Sequence, residues 1–419
     1  MLCLLVAATI DKGGFFEPMS AIVFAACLVT AAIGWLVRPD LRAVDIAMLG
    51  FAAWWWVTSV LHAVPGHFLP LGASVLGVLA ASVAVRAVAR PWRVNAGRAV
   101  AAIAAATGAV GIVACGLRWY PEAIRAQDLW RLAGPLTYSN GAGALLAVGG
   151  LLCVGTWRRS WPAALALAGC VAGLIATQSR GAALAMLIGC AWCSWSELAD
   201  AAPAAACGAA SGLVVVASSQ GPSRHVLALV ASLALIVAAP VAERALRRDT
   251  PRADVRRPAK WLAAGAGAVT VALVVLARTE VVRRVDLGSD VGRLRAWRAA
   301  LSQFSSSPWD GAGADRILHT SPGGAGVFFA HNEYLQVLAG SGLLGAALLV
   351  GVFGAGVLAL RAASPRSRAA IGATVAFCVS GVFDFTWHIP AIALAAGVAL
   401  GIGEGDAAAG AADTLSPSR

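Results

Sequence analysis

The chain has 419 residues, 59% of them hydrophobic and only 13% charged, with a mean hydropathy of +0.77. Soluble domains carry roughly a quarter charged residues, so a water-soluble globular class is excluded. A membrane-spanning helix needs about 20 apolar residues, and runs of that length recur along the chain. The net charge of +11 falls mainly in short arginine-rich breaks between these runs; membrane lipids, not nucleic acid, are the expected surroundings.

Met1 to Ile10 is apolar but has no basic leader and is too short to span, so no cleavable signal peptide is read there; the segment fits the remnant of a first helix. Candidate spans follow at Pro18–Val37, Leu41–Leu61, His67–Ala89, Arg98–Leu117, Gly141–Trp157, Trp161–Gln178, Gly181–Leu198, Ala201–Ser218, Ser223–Glu243 and Ala259–Ala277. Three more come after a long polar stretch, at Gly342–Leu360, Arg368–Phe385 and His388–Gly403. The expected fold class is all-α, a polytopic transmembrane helical bundle of about 12–14 spans with a long outer loop carrying amphipathic helices. The expected organisation is transmembrane helices over 1–276 with an outer loop at 118–140, a second outer loop at 277–341, C-terminal spans over 342–403 and a polar tail at 404–419.

Sidedness follows from arginine in the short loops. Placing the Arg38–Arg42 turn in the cytoplasm puts Arg86, Arg90, Arg93, Arg98, Arg158, Arg159, the basic run Arg244 to Lys260, and Arg361, Arg366 and Arg368 on the same side. More than half of the 32 basic residues then lie inside. The outer side carries a second set: Arg118, Arg125 and Arg131 in one loop, Arg180 in a short turn, and Arg278, Arg283, Arg284, Arg293, Arg295, Arg298 and Arg316 in the long loop. Arginine suits fixed, bidentate contacts to phosphate or carboxylate, which points to an anionic ligand on the outer face. For any single arginine the alternative is a solvated side chain reaching lipid headgroups.

Within the long loop, Gly288 to Ser307 has the pattern of an amphipathic helix, with Asp290 as N-cap and Pro308 as stop. Leu294, Trp297, Leu301 and Phe304 share one face, and Arg293 sits at its edge. After the flexible Pro322-Gly-Gly-Ala-Gly comes His331-Asn332-Glu333-Tyr334 at a helix start on the outer boundary of the membrane. An imidazole there can accept a proton from a hydroxyl or contact a phosphate. Asn140 and Tyr334 are further candidates. Asp384 and His388 form a polar pair in a tight outer turn, where the simpler role is to bond backbone groups left open by the turn. His62, His67 and His319 carry no signal beyond their loops. The nine cysteines mostly lie in apolar runs and read as packing residues; Cys190 and Cys193 make an isolated CxxC, a weak metal signal.

Four pieces occur in order: RLAGPLTYSNGAGALLA (Arg131 to Ala147), TQSRGAALAML (Thr177 to Leu187), GRLRAWRAALSQFSSSPWDGAGADR (Gly292 to Arg316) and AHNEYLQVLAGSGLLG (Ala330 to Gly345). Together they resemble the O-antigen ligase and O-antigen polymerase superfamily of polytopic glycosyltransferases, over about half of the chain. The resemblance implies a GT-C-like, metal-independent, inverting glycan transfer at the outer face of the cytoplasmic membrane, without a cofactor. The donor would be a polyprenyl-pyrophosphate-linked glycan and the acceptor a glycan or lipid-linked sugar. It implies catalytic roles for Arg180, Arg293 and His331, with the arginines binding pyrophosphate and the histidine activating or positioning the acceptor. Arg131, Asn140, Arg298, Asn332 and Tyr334 are the expected substrate-binding residues, and no metal ligand is expected. A repeat-unit polymerase and a protein O-oligosaccharyltransferase would use the same motifs. A secondary transporter would favour internal repeats and mid-membrane ionisable residues, and no clear repeat is found.

Overall fold

The structure, a computed structural model, describes residues 1–64, 68–126, 129–157, 160–219, 223–248, 291–315, 319–320, 326–327, 329–361 and 367–415. Its helices are α1 (Leu2–Ile10), α2 (Met19–Val37), α3 (Ala43–Leu61), α4 (Leu69–Ala87), α5 (Arg90–Leu117), α6 (Ser139–Thr156), α7 (Trp161–Thr177), α8 (Arg180–Cys190), α9 (Trp195–Ala217) and α10 (Val226–Arg248). They continue with α11 (Val291–Ser306), α12 (Glu333–Arg361), α13 (Arg368–Phe383) and α14 (Pro390–Leu415). Two small antiparallel hairpins join β1 (Ala123–Ala126) to β2 (Leu129–Leu132) and β3 (His319–Thr320) to β4 (Gly326–Val327). The chain is thus an all-α, multi-pass membrane protein. Among the described residues, eight helices are long and apolar enough to cross a membrane: α2 to α6, α9, α10 as far as Arg244, and α12.

Several boundaries differ from the sequence reading. The expected span Gly181–Leu198 breaks in two, because α8 stops at Cys190 after 11 residues and a new helix starts at Trp195. The cause is a capping box: Ser194 Oγ accepts from the Glu197 amide while the Glu197 carboxylate accepts from the Ser194 amide. α5 begins at Arg90 rather than Arg98, since Pro91 is tolerated in a first turn and nothing after it interrupts the helix. Residues 118–140 are not a plain loop but carry the β1–β2 hairpin. The expected span Ala259–Ala277, Asp290, Arg278, Arg283, Arg284 and Arg316 lie outside the described residues.

The chain forms two compact units, Met1–Ala96 with Asp290–Arg419, and Gly97–Ser289. In the first, α4 packs most extensively on α14 and α2, and α3 lies against α12. α14 is buried on all sides over its first turns, from Ala391 to Leu400. Gly397 and Gly401 let it approach the α4 backbone at Val78 and Ser82, where a Cβ would overlap it. In the second unit α7 packs on α9 and α6, and Gly208 and Gly212 of α9 play the same part against Ala168 and Ala172. Small residues spaced four apart are how apolar helices gain close contact without a hydrophobic driving force. All nine cysteines are free thiols, and four of them are fully buried.

Candidate functional site

The first unit's site rests on a break in α12. Gly342 has φ 63° and ψ −163°, outside the helical region, which only glycine adopts at low cost. The break frees two amides: Leu343 N–H donates to the Pro308 carbonyl (2.8 Å) and Leu344 N–H to that of Trp309 (3.2 Å). In return the Ala312 and Gly313 amides donate to the carbonyls of Ala339 and Gly340 at 2.9 and 3.0 Å. The WDGAGAD segment is therefore hydrogen-bonded edge to edge onto the broken helix. That pairing satisfies backbone groups which an apolar environment would leave costly. Gly311 (φ 74°) lies so close to the Gly340–Ser341 backbone that a Cβ would overlap it.

Just before α12, His331 is held in the left-handed region with φ 51°, a conformation that costs a non-glycine residue about 1 kcal/mol or more. Asn332 locks the turn: its Oδ1 accepts from the Leu335 amide and its Nδ2 donates to the Val382 carbonyl, both at 3.0 Å. The turn places His331 Nδ1 2.7 Å from Asp384 Oδ1. Asp384 is 2% exposed, whereas the His331 side chain keeps 35% of its surface open. An ionised Asp384 accepts from the Nδ1 proton, which fixes the tautomer and leaves Nε2 as the bare ring nitrogen. On α11, Ala296 and Ala300 are buried while Leu294 and Leu301 are exposed. The helix brings an Arg293 guanidinium nitrogen to 4.0 Å from Asp384 Oδ2. Arg298 is exposed on the same helix.

Tyr334 spends its hydroxyl on the Cys378 carbonyl (3.1 Å). With Trp387, Val382, Leu349 and Phe51 it lines an apolar cavity of about 450 Å³ inside this unit. Asn332 and Tyr334, both expected to contact substrate, therefore direct these polar groups at the protein's own backbone.

The second unit gathers the remaining candidates. Gln178 is also left-handed (φ 54°), and its amide nitrogen donates to the Trp130 carbonyl. Ser179 caps α8, accepting from the Ala182 amide, so Arg180 opens that helix with its side chain exposed. Arg131 on β2 donates from Nε to the Thr177 carbonyl (2.9 Å) and from a terminal nitrogen to Asn140 Oδ1 (3.0 Å). Arg131 and Asn140 thus brace the turn that presents Arg180.

The chemical parts in the first unit are a carboxylate-held imidazole with an open edge and an adjacent guanidinium, on a scaffold of membrane helices. Residues 163–350 match the O-antigen ligase family, Wzy_C. A comparison with curated proteins gives no match. The family match bears out the resemblance drawn from the motifs and supports an O-antigen ligase or polymerase type of membrane function. The matched segment includes Arg180, Arg293, Arg298, His331, Asn332 and Tyr334; Arg131, Asn140 and Asp384 fall outside it.

Sequence reasoning set Asp384 apart as half of a turn-bracing pair; in the structure its Oδ1 does accept from the Phe385 amide of that turn (2.9 Å) and also pairs with His331, a contact the sequence did not show. It also gave no role to Asp315 and Glu333, which flank the fully buried His388. The available signal was scarcity: acidic side chains number 21 in 419 residues, so one beside each motif had to be partnered. His62, read as carrying no signal, lies 3.4 Å from Asp310 Oδ2.

Proposed function

We propose that the protein transfers a glycan from a polyprenyl-pyrophosphate carrier to an acceptor sugar at the outer face of the cytoplasmic membrane, with His331 as general base. The observation that carries this reading is the His331–Asp384 pair, 2.7 Å apart, with one ring edge open. The acceptor hydroxyl attacks the anomeric carbon while Nε2 takes its proton. The bond from that carbon to the pyrophosphate oxygen breaks, and both its electrons leave with the carrier. Asp384 holds the ring and stabilises the imidazolium that forms. Negative charge gathers on the departing pyrophosphate, and a prepositioned guanidinium such as that of Arg293 stabilises it without a metal. Arg298 of the same unit is assigned to that anionic group, Arg180 is a pyrophosphate-binding residue on the strength of its motif alone, and attack opposite the leaving group inverts the anomeric centre. Arg131 and Asn140 act by bracing the Arg180 turn, and Asn332 and Tyr334 by holding the His331 turn.

The test is glycan transfer by the purified full-length chain from a polyprenyl-pyrophosphate oligosaccharide in EDTA. His331→Ala is expected to lower turnover by about 10²- to 10⁴-fold, the usual worth of a general base, with an unchanged melting temperature. Product length separates single transfer from repeat-unit polymerisation. Equal turnover in the variant and the parent would remove His331 from the chemistry.

A further inference from the structure

Beyond the dyad, the same end of the first unit holds a buried triad that the reaction does not use. His388 is 0% exposed, its Nε2 3.0 Å from Asp315 Oδ1 and its Nδ1 2.9 Å from Glu333 Oε2. Glu333 Oε1 accepts from the backbone amides of Trp387 and His388. Asp315 Oδ1 also accepts from Gln336 Nε2, and Gln336 Oε1 from the Ala330 amide. None of the residues His388, Asp315, Glu333 and Gln336 is more than 4% exposed.

The three partners come from three chain segments, and each segment also bears a site group or its support. Asp315 ends the WDGAGAD segment that follows α11, the helix of Arg293. Glu333 lies two residues after His331, and His388 four residues after Asp384. Aromatic rings join the triad to the dyad: Phe329 meets His388 edge to face (5.1 Å), stacks on Phe385 (4.5 Å), and Phe385 lies 5.3 Å from the His331 ring.

We propose that His388 is a positioning residue, a buried imidazolium that pins Asp315 and Glu333 together and so sets the place of His331 against Asp384 and Arg293. Burial pushes the Glu333 carboxyl up, towards its protonated form, while the charge of His388 and its hydrogen bond oppose that shift; two ionised carboxylates in a dry space need a cation between them, and a neutral ring could offer a proton to only one of them. Burial alone would lower the basicity of His388, but Asp315 and Glu333 outweigh it and raise its pKa from 6.5 to about 10. The other side chains in contact with the ring, Trp55 and Phe329, do not titrate. The role rests on the His331 reading above.

The experiment follows the histidine ring nitrogens by NMR in ¹⁵N-histidine-labelled full-length protein, alongside turnover. In the parent, His388 is expected as an imidazolium at pH 8; a neutral His388 there would overturn the proposal, whatever the variants do. His388→Gln, which keeps polar bulk without charge, is expected to lower kcat by about 100-fold, the scale of a misplacement of ~1 Å. KM for the donor should hold, the His331 titration should shift, and His388→Lys should recover part of kcat. A folded His388→Gln protein with parental kcat and an unmoved His331 signal would overturn the proposal. Should His388→Gln not fold, the parental imidazolium signal decides. A parent without any transfer activity, but with a His331 signal that moves in His388→Gln, would sink the glycosyl-transfer reading and leave the joint standing.

Discussion

Two groups of buried charge sit toward opposite ends of the first unit's helices, separated by about 21 Å along α14 from Pro390 to Glu404. At one end Arg86 donates to Asp45 Oδ2 (2.6 Å) and Glu404 Oε2 (2.8 Å), and Ser82 donates to the same Glu404 oxygen. At the other, His388 lies between Asp315 and Glu333 beside the His331–Asp384 pair. Both are cations held between two carboxylates, yet they differ in two respects. The first uses a guanidinium that keeps its proton, and none of its three charged members is more than 3% exposed. The second uses the imidazolium of His388 and abuts His331, whose side chain is 35% open. The same electrostatic arrangement is thus sealed on every side in one place and borders an open imidazole edge in the other, where the proposed chemistry would use it as a support.

The sharpest way to break this comparison is to remove the cation of the sealed group. Arg86→Met leaves Asp45 and Glu404 facing each other across a buried space, and breaking such a group typically costs about 3–5 kcal/mol. Thermal unfolding in detergent should show a large loss of stability. The clamp reading fails if the variant melts with the parent. A companion double variant, Asp45→Asn with Glu404→Gln, keeps the shape but removes both charges facing Arg86, and should also destabilise because it strands the cation.

A second, intermediate test bears on the seat beneath the site. At Gly342→Ala the new Cβ would fall on the Trp309 carbonyl, and the residue would sit in a glycine-only region of backbone space. The strain alone is worth about 1–3 kcal/mol. The expected readout is a shift in melting together with a fall in kcat, because the displaced segment carries Asp315. A change in melting with kcat untouched would mean that the seat does not reach the site.

These elements also show what the sequence made legible. Apolar runs bounded by arginine predicted most helices within a few residues, since length and polarity are local properties. His331, Arg293 and Arg180 stood out because their motifs resemble those of the O-antigen ligase and polymerase superfamily, whose match to residues 163–350 includes all three. Asp384 was placed in its turn without its partner His331, and Asp315 and Glu333 were given no role. Their meaning lies in contacts across 53, 73 and 55 positions, which no periodicity encodes. The span was expected to start at Gly342, but the break there was not legible, because the carbonyls of Pro308 and Trp309 that take up the Leu343 and Leu344 amides lie more than 30 positions earlier in the chain.

The smallest expected effect comes from Asp40, next to the clamp in sequence but not in burial. Its carboxylate accepts from Arg42 Nε (3.0 Å) and a terminal nitrogen (2.7 Å), with 41% of its side chain exposed against 1% for Asp45. The hydrogen bond from Arg42 holds its pKa below the usual carboxylate value of 3.8. A lowered folded-state pKa stabilises the fold above the unfolded value and stops doing so as pH falls through the folded one, so the contribution is present at neutral pH and disappears in acid below about pH 4. Solvent screening keeps it small: Asp40→Asn should cost under about 1 kcal/mol at pH 7, fade in high salt and shrink as the pH is lowered through the folded-state pKa. A loss rivalling that of Arg86→Met would show that bonding pattern, rather than burial, separates a clamp from a surface pair.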